Sequence, residues 1–203
     1  MNVQTQRLLV PGPVGPIECA LDEPAGTPVG VAVICHPHPV YGGTLDNKVV
    51  QTLARAFVQL GWRSVRFNFR GIGQSVGTWD EGEGEIDDAL AVIDARRELG
   101  LPLVLAGFSF GGYVASQAAA RLPAPEKPSR MVLVAPATSR FDVATVPEDT
   151  LVVHGEADET VPLQATLDWA RPQQLPVVVI PGVGHFFHGQ LPLLKTLVMR
   201  AFG

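Results

Sequence analysis

The sequence predicts an α/β fold with a mainly parallel, doubly wound sheet that is flanked by helices. Beyond Gly30, short runs rich in Val, Ile, Leu and Phe alternate with longer segments of helical period, which is typical of βαβ units. The short runs are nearly uniformly apolar, as expected for strands that are covered on both faces. The chain has 203 residues, 46% of them hydrophobic, so residues 1–203 are predicted to form a single domain.

The elements can be predicted in order along the chain. Residues 7–10 and 17–21 flank a turn rich in Pro and Gly, which predicts an antiparallel hairpin. Six further strands are predicted at 29–35, 63–68, 103–106, 131–135, 151–154 and 177–180. Helices are predicted between them at 46–60, 86–99, 110–121, 163–170 and 189–202, the first stopped by Gly61. The proline-rich residues 123–128 predict a surface loop.

Composition narrows the classes of partner. With 15 basic and 20 acidic residues, the chain has no global positive field that would attract nucleic acid or an anionic bilayer. Each apolar run is broken well before the roughly 20 residues that span a membrane, and the N-terminus does not have the pattern of a signal peptide. Cys35 ends an apolar run, which favours a buried reduced thiol. We therefore expect a cytoplasmic protein with a small-molecule partner, no nucleic acid and no membrane.

A candidate nucleophile lies in the motif Gly107-Phe108-Ser109-Phe110-Gly111, between a predicted strand and a predicted helix of small residues. A turn that lifts a serine Oγ above the sheet strains the backbone, and the flanking glycines leave room for it. The positive end of the following helix favours the charge that forms during attack. An alternative interpretation is that Ser109 is the N-cap residue of a helix in a nucleotide-binding loop. The sequence does not have the glycine-rich phosphate-binding motifs that would support this alternative.

A serine hydroxyl needs a base that removes its proton and a third group that orients the base. Asp158 follows the predicted strand 151–154, and His185 follows the predicted strand 177–180. The carboxyl ends of parallel strands meet at one edge of a sheet, so both side chains are predicted to share that edge with Ser109. We therefore predict Asp158 as the acid and His185 as the base. Their order along the chain differs from that of chymotrypsin and of subtilisin.

Each of these assignments has a rival. Glu156 and Glu159 share the loop of the predicted acid, and either could instead be a solvated surface charge. His188 follows the predicted base by three residues, where we expect it to cap or pack against the last helix. His154 is expected to support the acid loop rather than to react.

Two backbone N–H groups are also needed for the oxyanion of a tetrahedral intermediate. Phe110 is predicted to supply one, and the loop after residue 35 the other. Pro37 and Pro39 in that loop have no N–H group, so His38 is predicted as the second donor. His36 and His38 could also suggest a metal, but no carboxylate or thiolate set accompanies them. No metal site is predicted.

Together these segments resemble the α/β-hydrolase superfamily, and more closely its small, lidless members related to dienelactone hydrolases and bacterial serine esterases. The resemblance spans nearly the whole chain and also rests on the motifs His36-Pro37-His38-Pro39, Gly42-Gly43-Thr44 and Phe67-Asn68-Phe69-Arg70-Gly71-Ile72-Gly73-Gln74-Ser75. It implies an α/β-hydrolase fold and hydrolysis of carboxylic esters through an acyl-enzyme, without a cofactor. Dienelactone hydrolases have cysteine as the nucleophile, so their lactone substrate is not implied.

The sequence also predicts an open site. Only 13 residues separate Pro136 from Thr150, which is too few for the helical cap that many relatives insert there. The loop 77–85 contains Trp79 and is predicted to be either a substrate wall or a solvated connection. Two further alternatives stay open: a thioesterase or peptidase with the same triad, and a non-catalytic binding module of the same fold. The sequence favours no oligomeric state.

Overall fold

A single eight-stranded sheet organises the part of the chain that the computed structural model describes, residues 5–203. Its strands are β1 Gln6–Gly12, β2 Gly15–Asp22, β3 Val31–Cys35, β4 Arg63–Phe67, β5 Leu103–Phe108, β6 Arg130–Val134, β7 Leu151–Gly155 and β8 Val177–Ile180. They lie in the order β1-β2-β4-β3-β5-β6-β7-β8. The β2 strand is antiparallel to both of its neighbours, and the strands from β4 to β8 are parallel. The predicted fold class is confirmed.

Helices cover both faces of this sheet. They are α1 Lys48–Gln59, α2 Glu83–Arg96, α3 Phe110–Arg121, α4 Leu163–Ala170 and α5 Leu191–Phe202. The apolar residues of α1 and α5 pack on one face of the sheet, and those of α2 and α3 pack on the other. The central strands β3 and β5 are buried throughout, which explains their uniformly apolar sequences.

Two helices begin later than the sequence predicts, and local interactions explain why. The α1 helix begins at Lys48 because the Asn47 side chain caps it, accepting a hydrogen bond from the Val49 N–H at 2.9 Å. The α5 helix begins at Leu191 because residues before it leave the helical region of backbone conformation. Phe187 and Gly189 have φ angles of 53° and 75°. The predicted first residues of these two helices therefore belong to a capping segment before Lys48 and to a turn before Leu191.

The strand order creates a crevice at the carboxyl ends of β3 and β5. From β3 the chain passes through α1 to β4 on one side, and after α2 it returns to β5 on the other side. Loops that leave two neighbouring strands in opposite directions leave room for a ligand between them. The loops after β7 and β8 open at the same edge, because these strands are parallel to β5.

The connection between β6 and β7 contains turns and no helix, so it forms no cap over this edge. The proline-rich loop 123–128 is largely exposed and contains a short 3₁₀ turn, Ala124–Glu126. Within residues 5–203, no helix is both long and apolar enough to cross a membrane. Residues 1–4, which belong to the segment predicted not to be a signal peptide, lie outside the described residues.

Candidate active site

Ser109 occupies a strained turn between β5 and α3. Its φ and ψ angles are 56° and −118°, a conformation that costs a residue with a side chain on the order of 1–3 kcal/mol. Hydrogen bonds on both sides hold it there. The Ser109 N–H donates to the Val134 carbonyl at 2.9 Å, and its carbonyl accepts from the N–H groups of Gly112 at 2.9 Å and Ala137 at 3.2 Å. The surrounding backbone therefore maintains the strained serine.

The glycines of the motif are required by close packing. A Cβ atom on Gly107 would lie 2.1 Å from the Gly111 carbonyl oxygen, and one on Gly111 would lie 2.2 Å from the Cys35 carbonyl oxygen. No side chain fits at such distances. The serine turn is consequently pressed against the end of β3, from which the predicted oxyanion loop continues.

The loops after β7 and β8 bring the predicted acid and base into contact. Asp158 Oδ2 lies 2.7 Å from His185 Nδ1, and Asp158 Oδ1 accepts hydrogen bonds from the N–H groups of Thr160 at 2.9 Å and Val161 at 2.8 Å. Burial favours the neutral acid, but the hydrogen bonds from His185 and the two N–H groups outweigh it and lower the pKa of Asp158. Asp158 is thus a carboxylate at neutral pH.

The imidazole of His185 packs beside the serine turn. Its ring centroid lies 4.9 Å from that of Phe108, the residue before Ser109, and the ring is almost fully buried. Among residues 5–203, the Ser109 hydroxyl makes no hydrogen bond. The structure therefore joins the predicted acid to the predicted base and sets the base against the nucleophile turn, without a hydrogen bond between serine and imidazole.

The rival residues have other surroundings. Glu156 accepts a hydrogen bond from the Gly182 N–H at 2.8 Å and so links the acid loop to the histidine loop, whereas Glu159 is exposed. His188 is also exposed and precedes α5 rather than entering it.

His154 is fully buried beneath the acid loop. Burial lowers its pKa, and its Nε2 lies 2.9 Å from the Val161 carbonyl and 3.5 Å from Asp158 Oδ2. A neutral imidazole with its proton on Nε2 therefore donates to Val161, whose N–H in turn binds Asp158. This contact supports the loop that carries Asp158.

The two predicted oxyanion donors lie on adjoining segments. Phe110 is the first residue of α3, and His38 lies in the loop after β3, with ring centroids 5.0 Å apart. In the described part of the chain, neither backbone N–H has a hydrogen-bond acceptor. Two free N–H groups on segments that adjoin the serine turn are suited to binding an oxyanion.

His36 fixes the oxyanion loop to the rest of the sheet. Its Nδ1 donates to the Pro37 carbonyl at 2.6 Å, and its Nε2 accepts from the Phe69 N–H at 3.1 Å. Both ring nitrogens are therefore occupied by backbone groups. Full burial lowers the pKa of His36 to about 3. Among residues 5–203 there is no group of three His, Cys, Asp or Glu side chains that could hold a metal ion.

We expect the buried neutral His36 to make the protein sensitive to acid. In the unfolded chain a histidine takes up a proton near pH 6.5, whereas folded His36 does so only near pH 3. Between these values the unfolded state binds more protons, so the free energy of unfolding should fall by about 2 kcal/mol from pH 6.5 to pH 5 on account of His36. Urea unfolding at pH 7 and pH 5 measures this change in the free energy of unfolding.

The His36→Gln variant should lose the part of the pH dependence that comes from His36. The His188→Gln variant, at an exposed site, should keep it. Equal pH dependence in wild type and His36→Gln would contradict the assignment.

Hydrogen bonds to the Glu85 side chain hold the loop 77–85 in place. The buried carboxylate of Glu85 accepts hydrogen bonds from the N–H groups of Asp80 at 3.1 Å and Gly82 at 2.8 Å. This anchoring places the Trp79 ring 4.5 Å from that of His38 and 5.2 Å from that of Phe110. The loop therefore forms a wall beside the candidate oxyanion donors at Trp79, while Thr78, Asp80 and Glu81 remain exposed to solvent. Sequence reasoning did not single out Glu85.

A cleft borders the imidazole of His185. It has a volume of about 540 Å³ and lies between the acid and histidine loops, with Thr160, Gly184, His185 and Phe186 among its lining residues. Phe186 is 48% exposed and packs edge-on against His185. Ser109, Phe110 and His38 are not among its lining residues, so the cleft borders the predicted base but not the serine turn.

Solved structures similar to this chain share its fold over almost the entire length. A serine hydrolase without a lid from Xanthomonas campestris is 39% identical, with a TM-score of 0.90, over 99% of this chain and 94% of that one. A serine hydrolase homologue from Coxiella burnetii is 38% identical, with a TM-score of 0.85, over 100% of both chains. An uncharacterized protein of Rickettsia prowazekii is 30% identical over 192 residues, which cover 87% of this chain and 79% of that protein.

The fold and these similarities define an α/β serine hydrolase without a lid. The family model described as serine aminopeptidase, S33, matches residues 27–140, which is more than half of the chain. The protein therefore belongs to this family of α/β hydrolases, and the predicted superfamily is confirmed.

Proposed function

We propose that the protein hydrolyses carboxylic esters through an acyl-enzyme, with Ser109 as nucleophile, His185 as base and Asp158 as the acid that orients it. The observation that carries this proposal is the 2.7 Å contact between His185 Nδ1 and Asp158 Oδ2 beside the strained Ser109. A carboxylate that accepts the Nδ1 proton leaves the Nε2 lone pair free to take the serine proton. The serine–imidazole hydrogen bond is often looser without substrate and forms when substrate binds.

In this reaction Ser109 Oγ attacks the ester carbonyl carbon while His185 Nε2 takes the hydroxyl proton. The carbonyl oxygen becomes an oxyanion, which the N–H groups of Phe110 and His38 stabilise. The bond between carbon and alcohol oxygen then breaks, and His185 returns its proton to the departing alcohol. A water molecule, deprotonated by His185, attacks the acyl-enzyme and releases the carboxylic acid and free Ser109.

A fluorophosphonate probe combined with a matched set of substrates tests the proposal. We expect the probe to attach to Ser109, as located by peptide mass spectrometry. We also expect turnover of p-nitrophenyl butyrate to exceed that of the matched butyryl thioester and of alanine p-nitroanilide. Faster cleavage of the thioester would make the protein a thioesterase, and faster cleavage of the anilide would make it a peptidase. An unlabelled Ser109 in the folded protein would indicate a binding module instead.

A further inference from the structure

Aromatic side chains from three loops meet beside the candidate oxyanion donors. The ring of His38 lies 4.7 Å from Tyr41 in its own loop, 4.5 Å from Trp79 and 6.0 Å from Phe141. Phe141 in turn lies 5.1 Å from the ring of Phe110. We call Tyr41, Trp79 and Phe141, together with His38, the aromatic wall. Sequence analysis did not single out Tyr41 or Phe141, although both follow strands that end at the site.

Much of this wall faces solvent. Tyr41 is 75% exposed and its neighbour Val40 is 60% exposed, while Trp79 and Phe141 are half-buried. Exposing aromatic surface to water is unfavourable, and the surface contributes to binding when a ligand covers it. The wall therefore offers apolar, ring-shaped contact area to a molecule in the site.

The wall is held close to the reacting atoms. The backbone N–H groups of His38 and Phe110 are the candidate oxyanion donors. The His38 ring is half-buried, whereas the Phe110 ring is only 1% exposed and packs against His38, Trp79 and Phe141 from within the protein. The loop that carries Phe141 is joined to the nucleophile itself: the Ala137 N–H donates to the Ser109 carbonyl at 3.2 Å, and the Phe141 N–H donates to the Ala137 carbonyl at 3.0 Å. Two hydrogen bonds thus connect the wall to the serine.

The chemistry decides which part of an ester meets the wall. His185 must reach the alcohol oxygen to protonate it, so the alcohol lies on the side of His185. The acyl carbon stays bonded to Ser109 Oγ, and its chain extends away from His185. Trp79, Phe110 and His38 lie in contact with one another, whereas His185 contacts Phe108 and Phe186. Of the two parts of the ester, the acyl group is therefore the one that lies away from His185 and on the side of the aromatic wall.

From these contacts we propose that the substrates of this site are esters whose acyl group carries an aromatic ring, which packs on Trp79 and Tyr41. The inference rests on the proposed ester hydrolysis. Aromatic rings pair with other rings more strongly than saturated rings of similar size do, by about three- to tenfold in binding. Because Glu85 anchors the loop of Trp79, the wall is formed before substrate binds, and little ordering opposes binding.

The test compares methyl 3-phenylpropionate with methyl 3-cyclohexylpropionate, which differ only in the aromatic character of the ring. For the wild-type protein we expect kcat/KM, measured by pH-stat titration, to be at least threefold higher for the phenyl ester. Tyr41→Leu and Trp79→Leu should each lower this ratio toward one. Tyr41 is mostly exposed, so its variant should fold even if the Trp79 variant does not. Phe202→Leu makes a matched aromatic replacement at the far end of the sheet and should leave the ratio unchanged.

A ratio near one in the wild type, with both esters hydrolysed, would overturn the aromatic acyl preference and leave the ester hydrolase intact. Unchanged ratios in both wall variants would overturn it as well. A preference for 2-phenylethyl acetate over 2-cyclohexylethyl acetate, in place of the preference between the two propionates, would also overturn the proposal. It would show that the wall binds an aromatic ring on the alcohol and not on the acyl group. Failure to hydrolyse any ester, with no labelling of Ser109, would refute the proposed function itself.

Discussion

Ser109→Ala is expected to abolish ester hydrolysis, with kcat falling by about 10⁴- to 10⁶-fold. The variant removes the only atom that forms the acyl-enzyme and leaves the oxyanion donors and the imidazole in position. Alanine meets the same backbone strain at φ 56° as serine does, so the free energy of unfolding should change by less than about 1 kcal/mol. Initial rates on p-nitrophenyl butyrate, together with thermal unfolding, measure both quantities.

Ser129→Ala is the matched control, because Ser129 is an exposed serine just before β6, at the opposite edge of the sheet. Its activity should stay within twofold of wild type. Undiminished turnover by folded Ser109→Ala would show that Ser109 is not the nucleophile.

Asp158→Asn is expected to lower kcat/KM by about 10³- to 10⁴-fold. Asp158 Oδ1 accepts N–H groups from Thr160 and Val161, and an asparagine keeps these bonds only with its amide oxygen at that position. Its NH₂ group then faces His185 Nδ1, which must accept rather than donate. The imidazole proton moves to Nε2, and the atom that should take the Ser109 proton no longer has a lone pair.

Glu159→Gln provides the comparison for this variant, since Glu159 is an exposed acid one residue away. We expect its kcat/KM to remain within threefold of wild type. Circular dichroism and thermal unfolding should show both variants folded. A larger loss in Glu159→Gln than in Asp158→Asn would assign the role of the acid to Glu159.

Local patterns in the sequence were sufficient to predict much of this protein. The apolar runs predicted β3, β5, β6 and β7, because strands that are buried on both faces are mostly apolar. The strands β4 and β8 were also predicted, although β4 contains Arg63 and Arg66 and β8 is mostly half-exposed. Ser109 could be predicted as a nucleophile because a strand, a tight glycine-flanked turn and a helix are adjacent along the chain. Asp158 and His185 could be predicted to share its edge of the sheet, because parallel strands all end on the same side. The absence of a cap followed from loop length alone.

Other properties depend on how distant loops approach one another, and only the tertiary structure decided them. The position of Asp158 after its strand favoured it over Glu156 and Glu159, but position along the chain does not show which carboxylate touches the histidine. The folded loops after β7 and β8 bring just Asp158 within 2.7 Å of His185. Nor could periodicity show whether Trp79 lines the site, since this depends on the buried Glu85 that holds its loop against His38. Hydrophobic period and turn composition are properties of neighbouring residues, whereas the pairing of an acid with a base and the formation of an aromatic wall are set by contacts between segments far apart in the chain.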